Sequence, residues 1–375
     1  MKYYIISGEP SGDLHGANLI RHLKLTDPFA EIFVWGGDKM KAEGVNLRKH
    51  YRDLSFMGFG ELVAHAGKII NNVRFFRKDI LQFMPDAVIL IDYPGFNLRM
   101  APWLKQKGFN VFYYISPKIW AWNQSRISSI KKYIDKMIVI FPFEVEFYKR
   151  FSYQVYFFGN PVKEEVMNFK PDPEFRKKNN LTENPIVAVL PGSRKQEIQR
   201  HLSLILALQN DFPATQFVIA GLSAIDKNIY QKTLKNSAIK LLVDATYDLL
   251  YHANTAVVAS GTATLETALF NIPQVVCYRV NPVSAWITRK VIKIPYVSLV
   301  NLLSAKECVK ELLQEKFTPT GLRNELMRLL GDTEYRKKMT GEYQVLKEKL
   351  GPEGASARVA EMICQWTREG KTLKI

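Results

Sequence analysis

Short apolar runs recur along the 375-residue chain, separated by stretches with helical spacing of apolar positions. YYIIS (3–7), EIFVWG (31–36), AVILID (87–92), VFYYIS (111–116), MIVIF (137–141) and VYFFG (155–159) read as strands. Their alternation with helices predicts a parallel sheet covered by helices. Near Asn160–Pro161 the pattern breaks, and the polar, proline-bearing KPDPEFRKKNNLTENP (170–185) reads as a linker with a short helix. The alternation then restarts with IVAVL (186–190), QFVIAG (216–221), IKLLV (239–243), TAVVAS (255–260) and QVVCYRV (274–280). From about residue 305 the spacing is helical to the end, with AKECVKELLQEKF and ASARVAEMICQWTREG the clearest pieces. The expectation is an α/β protein of two successive Rossmann-like doubly wound domains, 1–170 and 171–350, with a helical C-terminal segment, 351–375. A cleft between the domains is then the natural ligand site.

One stretch has a double reading. FMGFGELVAHAGKIINNVRFFRKDILQFM (56–84) places apolar residues at 62, 66, 69, 73, 76 and 80, and Lys68, Arg74, Arg77 and Lys78 border that stripe. Such a helix either packs its stripe into the core or lies on a bilayer with its basic residues near lipid phosphates.

Composition narrows the class. The length favours two domains over one. The balance of 47% hydrophobic and 23% charged residues is globular. No run reaches the length of a membrane span and no leader precedes the first strand, so a cytoplasmic location is expected. Cys277, Cys308 and Cys364 are too far apart for a metal motif or a disulfide framework. The net charge of +16 attracts polyanions: nucleic acid, anionic lipid or phosphorylated substrates. The basic residues are scattered and no nucleic-acid module is present, which disfavours the first. The histidines lack ligand spacing and there is no Asp-x-Asp pair, so no metal and no cofactor are expected.

Candidate chemistry sits where strands run into helices. In SGEPSGDLHGA, glycines at 8, 12 and 16 surround Ser11 and Asp13. The spacing is not a dinucleotide fingerprint, and the loop is either a tight turn or a helix N-terminus that faces an anion. LPGSRKQEI places Gly192, Ser193 and Arg194 at a helix start, where amides, a hydroxyl and a guanidinium suit a diphosphate. In SGTATLE, Ser260, Gly261 and Thr262 form a second such turn, and Glu266 is either an acceptor for a ribose diol, a cap for Thr262 or a surface charge. Asp92 ends a buried strand at the ligand-binding edge of an open sheet, as a functional acid, a helix cap or a structural ion-pair partner. Trp120 and Trp122 follow the next strand, placed to stack on sugars or acyl chains or to join the core.

SGDLHGA, IDYPGFN, ISPKIWAWN, LPGSR, SGTATLE and YRVNPVSAWITRKVIKIPYVSLVNLLSAKECVKELLQ, in that order, resemble the lipid-A-disaccharide synthases. That resemblance implies the GT-B fold and an inverting transfer of 2,3-diacylglucosamine from UDP to 2,3-diacylglucosamine 1-phosphate, giving a β-1,6 linkage and UDP. It makes Asp92 the essential aspartate and Arg194, Glu266 and Asn301 residues on the UDP side. It matches Leu62, Val63, Ala66, Ile69 and Ile70 to a lipid-facing patch, and the C-terminal helices to a segment exchanged in a homodimer. Asp13 would orient a sugar hydroxyl while glycines let the backbone of the first loop approach substrate. The location implied is the cytoplasmic face of the inner membrane of a Gram-negative bacterium. Two positions depart from the pattern: Gly95, where many members carry an acid, and Asn123, where many carry a base. The rival readings are a UDP-N-acetylglucosamine 2-epimerase, the lipid glycosyltransferase of peptidoglycan synthesis, and a non-catalytic basic protein that binds lipid or RNA.

Overall fold

The computed structural model describes residues 1–54, 66–234, 237, 239–279 and 295–372, with the side chains of 66, 371 and 372 excepted. The chain divides into two units, Met1–Pro161 with Gly351–Ile375, and Val162–Leu350. The division thus falls at the first residue of the helix Pro161–Asn168, ahead of the proline-bearing linker.

In the first unit the strands are β1 (Lys2–Ser7), β2 (Glu31–Gly36), β3 (Asn46–His50), β4 (Ala87–Ile91), β5 (Asn110–Tyr114), β6 (Lys136–Val139) and β7 (Tyr156–Phe157). Among the described residues they form a parallel sheet in the order β3-β2-β1-β4-β5-β6-β7. β1 and β4 are neighbours although two strands separate them in sequence, so the order reverses between them, the position where open α/β sheets bind ligands. β4 is buried throughout, as a strand covered on both faces must be. One face packs on an aromatic core that includes Tyr4, Trp35, Phe76, Phe96 and Tyr148. The helix Ala355–Thr372 packs along Pro10–Thr26 and brings Trp366 to within 5.8 Å of the Phe112 ring.

The second unit has β8 (Ile186–Leu190), β9 (Gln216–Gly221), β10 (Lys240–Val243), β11 (Thr255–Ala259), β12 (Gln274–Tyr278) and β13 (Lys310–Leu313), parallel in the order β10-β9-β8-β11-β12-β13. Here β8 and β11 flank the reversal. The helix expected over AKECVKELLQEKF is absent: β13 occupies its middle and pairs with β12. A short apolar run fits either period, and pairing with a distant strand decided it.

Candidate active site

At the carboxyl end of β4, Asp92 (φ 43°) and Tyr93 (φ 47°) both adopt the left-handed conformation. Two such residues in succession, neither of them glycine, cost about 1–3 kcal/mol each and persist only where the surroundings impose them. The surroundings do so here. The Asp92 amide donates to the Tyr114 carbonyl (3.0 Å), while its own carbonyl accepts from Asn97 Nδ2 (2.7 Å) and the Tyr113 hydroxyl (2.6 Å). Burial pushes the Asp92 carboxyl up to about 6; Glu9 adds to the shift, and Lys118 and the Tyr93 amide oppose it. A base of that strength is half ionised near pH 6 and mostly ionised at neutrality, yet accepts a proton more readily than an ordinary carboxylate.

The loop after β1 is built for packing. A Cβ at Gly8 would enter the Tyr93 ring at 2.4 Å, one at Gly12 would meet Ser7 Oγ at 2.2 Å, and one at Gly16 would meet Met40 Cε at 1.7 Å. The glycines therefore admit protein neighbours. Asp13, expected to orient a sugar hydroxyl, has a buried carboxylate that accepts from the amides of Gly37 (2.6 Å), Lys39 and Met40 (both 3.1 Å) and so caps the helix Asp38–Ala42. Ser11 is exposed in the first turn of Pro10–Thr26.

Beyond β5, Trp120 donates from Nε1 to Glu144 (3.2 Å) and meets the Phe143 ring edge-on at 4.9 Å. Trp122 is 49% exposed, so the core reading fails for it, and the Arg126 guanidinium lies 5.0 Å from its ring centre. Glu144 is buried and accepts from Ser116 Oγ, Trp120 Nε1 and the Ile140 and Phe141 amides. Burial lifts its carboxyl to about 7 against the pull of those donors. Gly95 has open space where a side chain would project, and Asn123 accepts from Ser125 Oγ at 2.8 Å.

In the second unit, Gly192 (φ 109°) turns the chain between β8 and the helix Lys195–Leu206, with Ser193 and Arg194 exposed. Glu197 braces this turn through Arg194 Nη1 (2.9 Å), and His201 Nδ1 lies 2.9 Å from the Pro191 carbonyl. After β11, Ser260 donates to the Val297 carbonyl (3.1 Å), and Gly261 and Thr262 begin the helix Thr262–Leu269. Glu266 does not cap Thr262. It accepts from the Tyr247 hydroxyl at 3.0 Å, and burial and Glu165 raise its carboxyl while that hydroxyl lowers it.

Asn301, expected on the UDP side, is a structural pin in this unit. It is wholly buried, donates to the Val309 carbonyl and Glu311 Oε1 (both 2.9 Å) and accepts from the Cys308 and Val309 amides. Glu311 also takes the amides of Val297 and Ser298, which ties the segment beside Ser260 to β13.

Strand order makes neighbours of the loops after β1, β4 and β5, carrying Ser11, Asp92 and Trp120, and of those after β8 and β11, carrying Gly192–Arg194 and Ser260–Glu266. Leu62 and Val63 lie outside the described residues, as does the side chain of Ala66. Ile69 is half-buried and Ile70 is 51% exposed, whereas Phe76 and Ile80 of the same stripe are in the core. Sequence reasoning missed Tyr93, Asn97, Tyr113, Glu144, Glu197 and His201, all of which brace loops. Of these only the two acids in first helical turns left a local signal, Glu197 after a Gly-Ser-Arg turn and Glu144 two residues after a proline.

Two parallel α/β units with functional loops at the carboxyl edges of their sheets define a GT-B-type protein. Solved structures of that architecture match nearly all of the chain: a UDP-GlcNAc 2-epimerase from Neisseria meningitidis bound to UDP-GlcNAc (TM-score 0.69, 14% identity, 97% of this chain and 100% of that one) and a sucrose-phosphate synthase from Thermosynechococcus elongatus (0.59, 14%, 98% and 100%). At such identity they establish the fold alone. The family model "Lipid-A-disaccharide synthetase" matches residues 3–363. Lipid-A-disaccharide synthases of Coxiella burnetii (36% identical) and Trichlorobacter lovleyi (35%) each align over 366 residues, 96% of both chains. The chain belongs to the lipid-A-disaccharide synthase family and is a glycosyltransferase of lipid A disaccharide synthesis. Among the described residues no helix is long and apolar enough to cross a membrane.

Proposed function

We propose that the chain transfers 2,3-diacylglucosamine from UDP to the 6-hydroxyl of 2,3-diacylglucosamine 1-phosphate, with inversion, forming the β-1,6 disaccharide 1-phosphate and UDP. The observation that carries this reading is Asp92, an acid of raised pKa on an imposed left-handed turn where the strand order reverses. Asp92 takes the proton of the 6-hydroxyl as that oxygen bonds to the anomeric carbon. The bond from that carbon to the diphosphate oxygen breaks, and its electron pair leaves with UDP. Arg194 and the amides at the start of Lys195–Leu206 stabilise the departing charge, so the reading needs no metal or cofactor. Glu266 takes the ribose hydroxyls. Trp120 supplies a wall for the acceptor.

Acyl-chain substrates imply contact with an anionic membrane surface on the cytoplasmic side. The exposed face of Ala66–Phe83, with Ile70, Phe75, Lys68 and Arg74, supports this contact. The test is incubation of the protein with both substrates, radiolabelled. UDP and a β-1,6 disaccharide 1-phosphate that form only when both are present support the reading. Conversion of UDP-N-acetylglucosamine without an acceptor would favour an epimerase.

A further inference from the structure

We propose that Glu144 is a positioning residue for the acceptor: one carboxylate oxygen holds residues 115–123 and the other holds the start of the helix Pro142–Lys149, which fixes Lys118 near Asp92 and Trp120 on the same loop. The inference rests on the reading of Asp92 as the base.

The division between the two oxygens is its foundation. Oε1 accepts from Ser116 Oγ and from Trp120 Nε1 (3.2 Å), both in the loop after β5. Oε2 accepts from the amides of Ile140 (3.2 Å) and Phe141 (3.0 Å), which close the end of β6. Glu144 is 1% exposed and Ser116 4%, so water does not substitute for these bonds. A buried acid is a costly way to stabilise a helix start, because an apolar side chain would pack there without loss of hydration. What the acid does that no apolar residue could is tie two separate segments together.

The tied segment bears directly on Asp92. It leaves β5 at Tyr114, whose carbonyl receives the Asp92 amide, and passes through Ile115 in a left-handed conformation (φ 64°). A β-branched residue avoids that region, so the exit is held from outside rather than adopted by preference. Lys118 follows, exposed, and is the cation whose field acts on the Asp92 carboxylate. Ile119 is 1% exposed and anchors the loop's middle, so Lys118 is carried on a turn fixed on both sides. A lysine held there suits the phosphate of an acceptor, and an indole suits its sugar face.

The experiment measures transfer by the full chain with each substrate varied in turn. Glu144→Gln keeps the shape but turns one acceptor oxygen into a donor, which must lose either the loop or the helix start. The expected result is an acceptor KM raised ~10-fold or more, with the donor KM within about twofold of wild type. Ser116→Ala should raise the acceptor KM less, and the double variant should be no worse than Glu144→Gln alone, since both act through one contact. Unchanged acceptor KM in an active Glu144→Gln enzyme overturns the proposal. So does a parallel loss in both KM values together with a lowered Tm, the mark of a fold defect. If Glu144→Gln does not fold, Ser116→Ala decides the matter by the same measure. A wild-type chain that transfers nothing overturns the functional reading, and this inference with it.

Discussion

Asp92 sets stability against function. Its carboxyl titrates near 6 in the folded chain against an ordinary value of 3.8, so the native state holds the proton more tightly than the unfolded one. Its contribution to stability is therefore full below about pH 4 and lost as the pH rises through 6, leaving a cost of about 2–3 kcal/mol at pH 8. Asp92→Asn removes that cost together with the base. The variant should melt higher than wild type at pH 8, show no gain at pH 4, and lose turnover by ~100-fold or more. Wild-type turnover should fall as the pH drops below about 6. Melting curves and initial rates across that range check both limbs. In the second unit, Arg194→Ala should lower kcat, because the diphosphate gains charge only as it leaves, whereas Glu266→Ala should weaken UDP binding with a smaller effect on kcat. Calorimetric titration with UDP and steady-state rates separate the two. At this scale Asp92, Arg194 and Glu266 were legible as residue types at strand ends. The roles of Asp13 and Asn301 were not, because their hydrogen-bond partners are amides elsewhere in the sequence whose approach no local pattern reveals.

The helix Ala66–Phe83 shows how one apolar stripe serves two solvents. Phe76 and Ile80 are buried, and Asp79 on the same face takes the Tyr4 hydroxyl (2.6 Å) and Arg48 Nη2 (2.6 Å), which fastens this half to β1 and β3. Toward its start Ile70 is exposed and Lys68 and Arg74 flank it. Ile69→Ser with Ile70→Ser should release the protein from anionic vesicles while Tm hardly moves. Phe76→Ser should instead cost about 3–5 kcal/mol of stability. Vesicle flotation beside thermal melts reads both outcomes, and equal destabilisation by the two variants would place the whole stripe in the core. Strand periods were read well where burial is two-sided, as in β1, β4, β8 and β11. They failed at β3, an exposed and polar edge strand, and at β13, whose apolar residues also fit a helix.

At the scale of the whole molecule, the chain returns at Gly351 to the unit it began with. Val359, Ile363, Cys364 and Trp366 are buried there, and Arg358 donates from Nε and Nη2 to the Phe158 carbonyl at 3.0 and 2.8 Å. A chain ended at Leu350 should uncover the face of Pro10–Thr26 and the Phe112 ring, and lose solubility. We propose that in a homodimer this same helix docks on the partner's first unit in place of its own. Sedimentation of the full and truncated chains tests this: a full chain that sediments as a monomer, or a truncated chain that remains a dimer, would rule it out.

The sequence by itself determined the two α/β units, most of their strands and the residue types at the strand ends. Each of these follows from local apolar periodicity and from the residue types at a strand-to-helix turn. Only the tertiary structure decided which polar residues at those turns have their hydrogen-bonding capacity taken up within the protein. Asp13 is spent on a helix start and Asn301 on β13, while Asp92 is raised in pKa by burial and held in a conformation that Asn97 and Tyr113 impose. The reason is that a buried polar group's role is set by the partners that replace water, and those partners come from other elements, five to 27 residues away in these cases, which only the fold brings together.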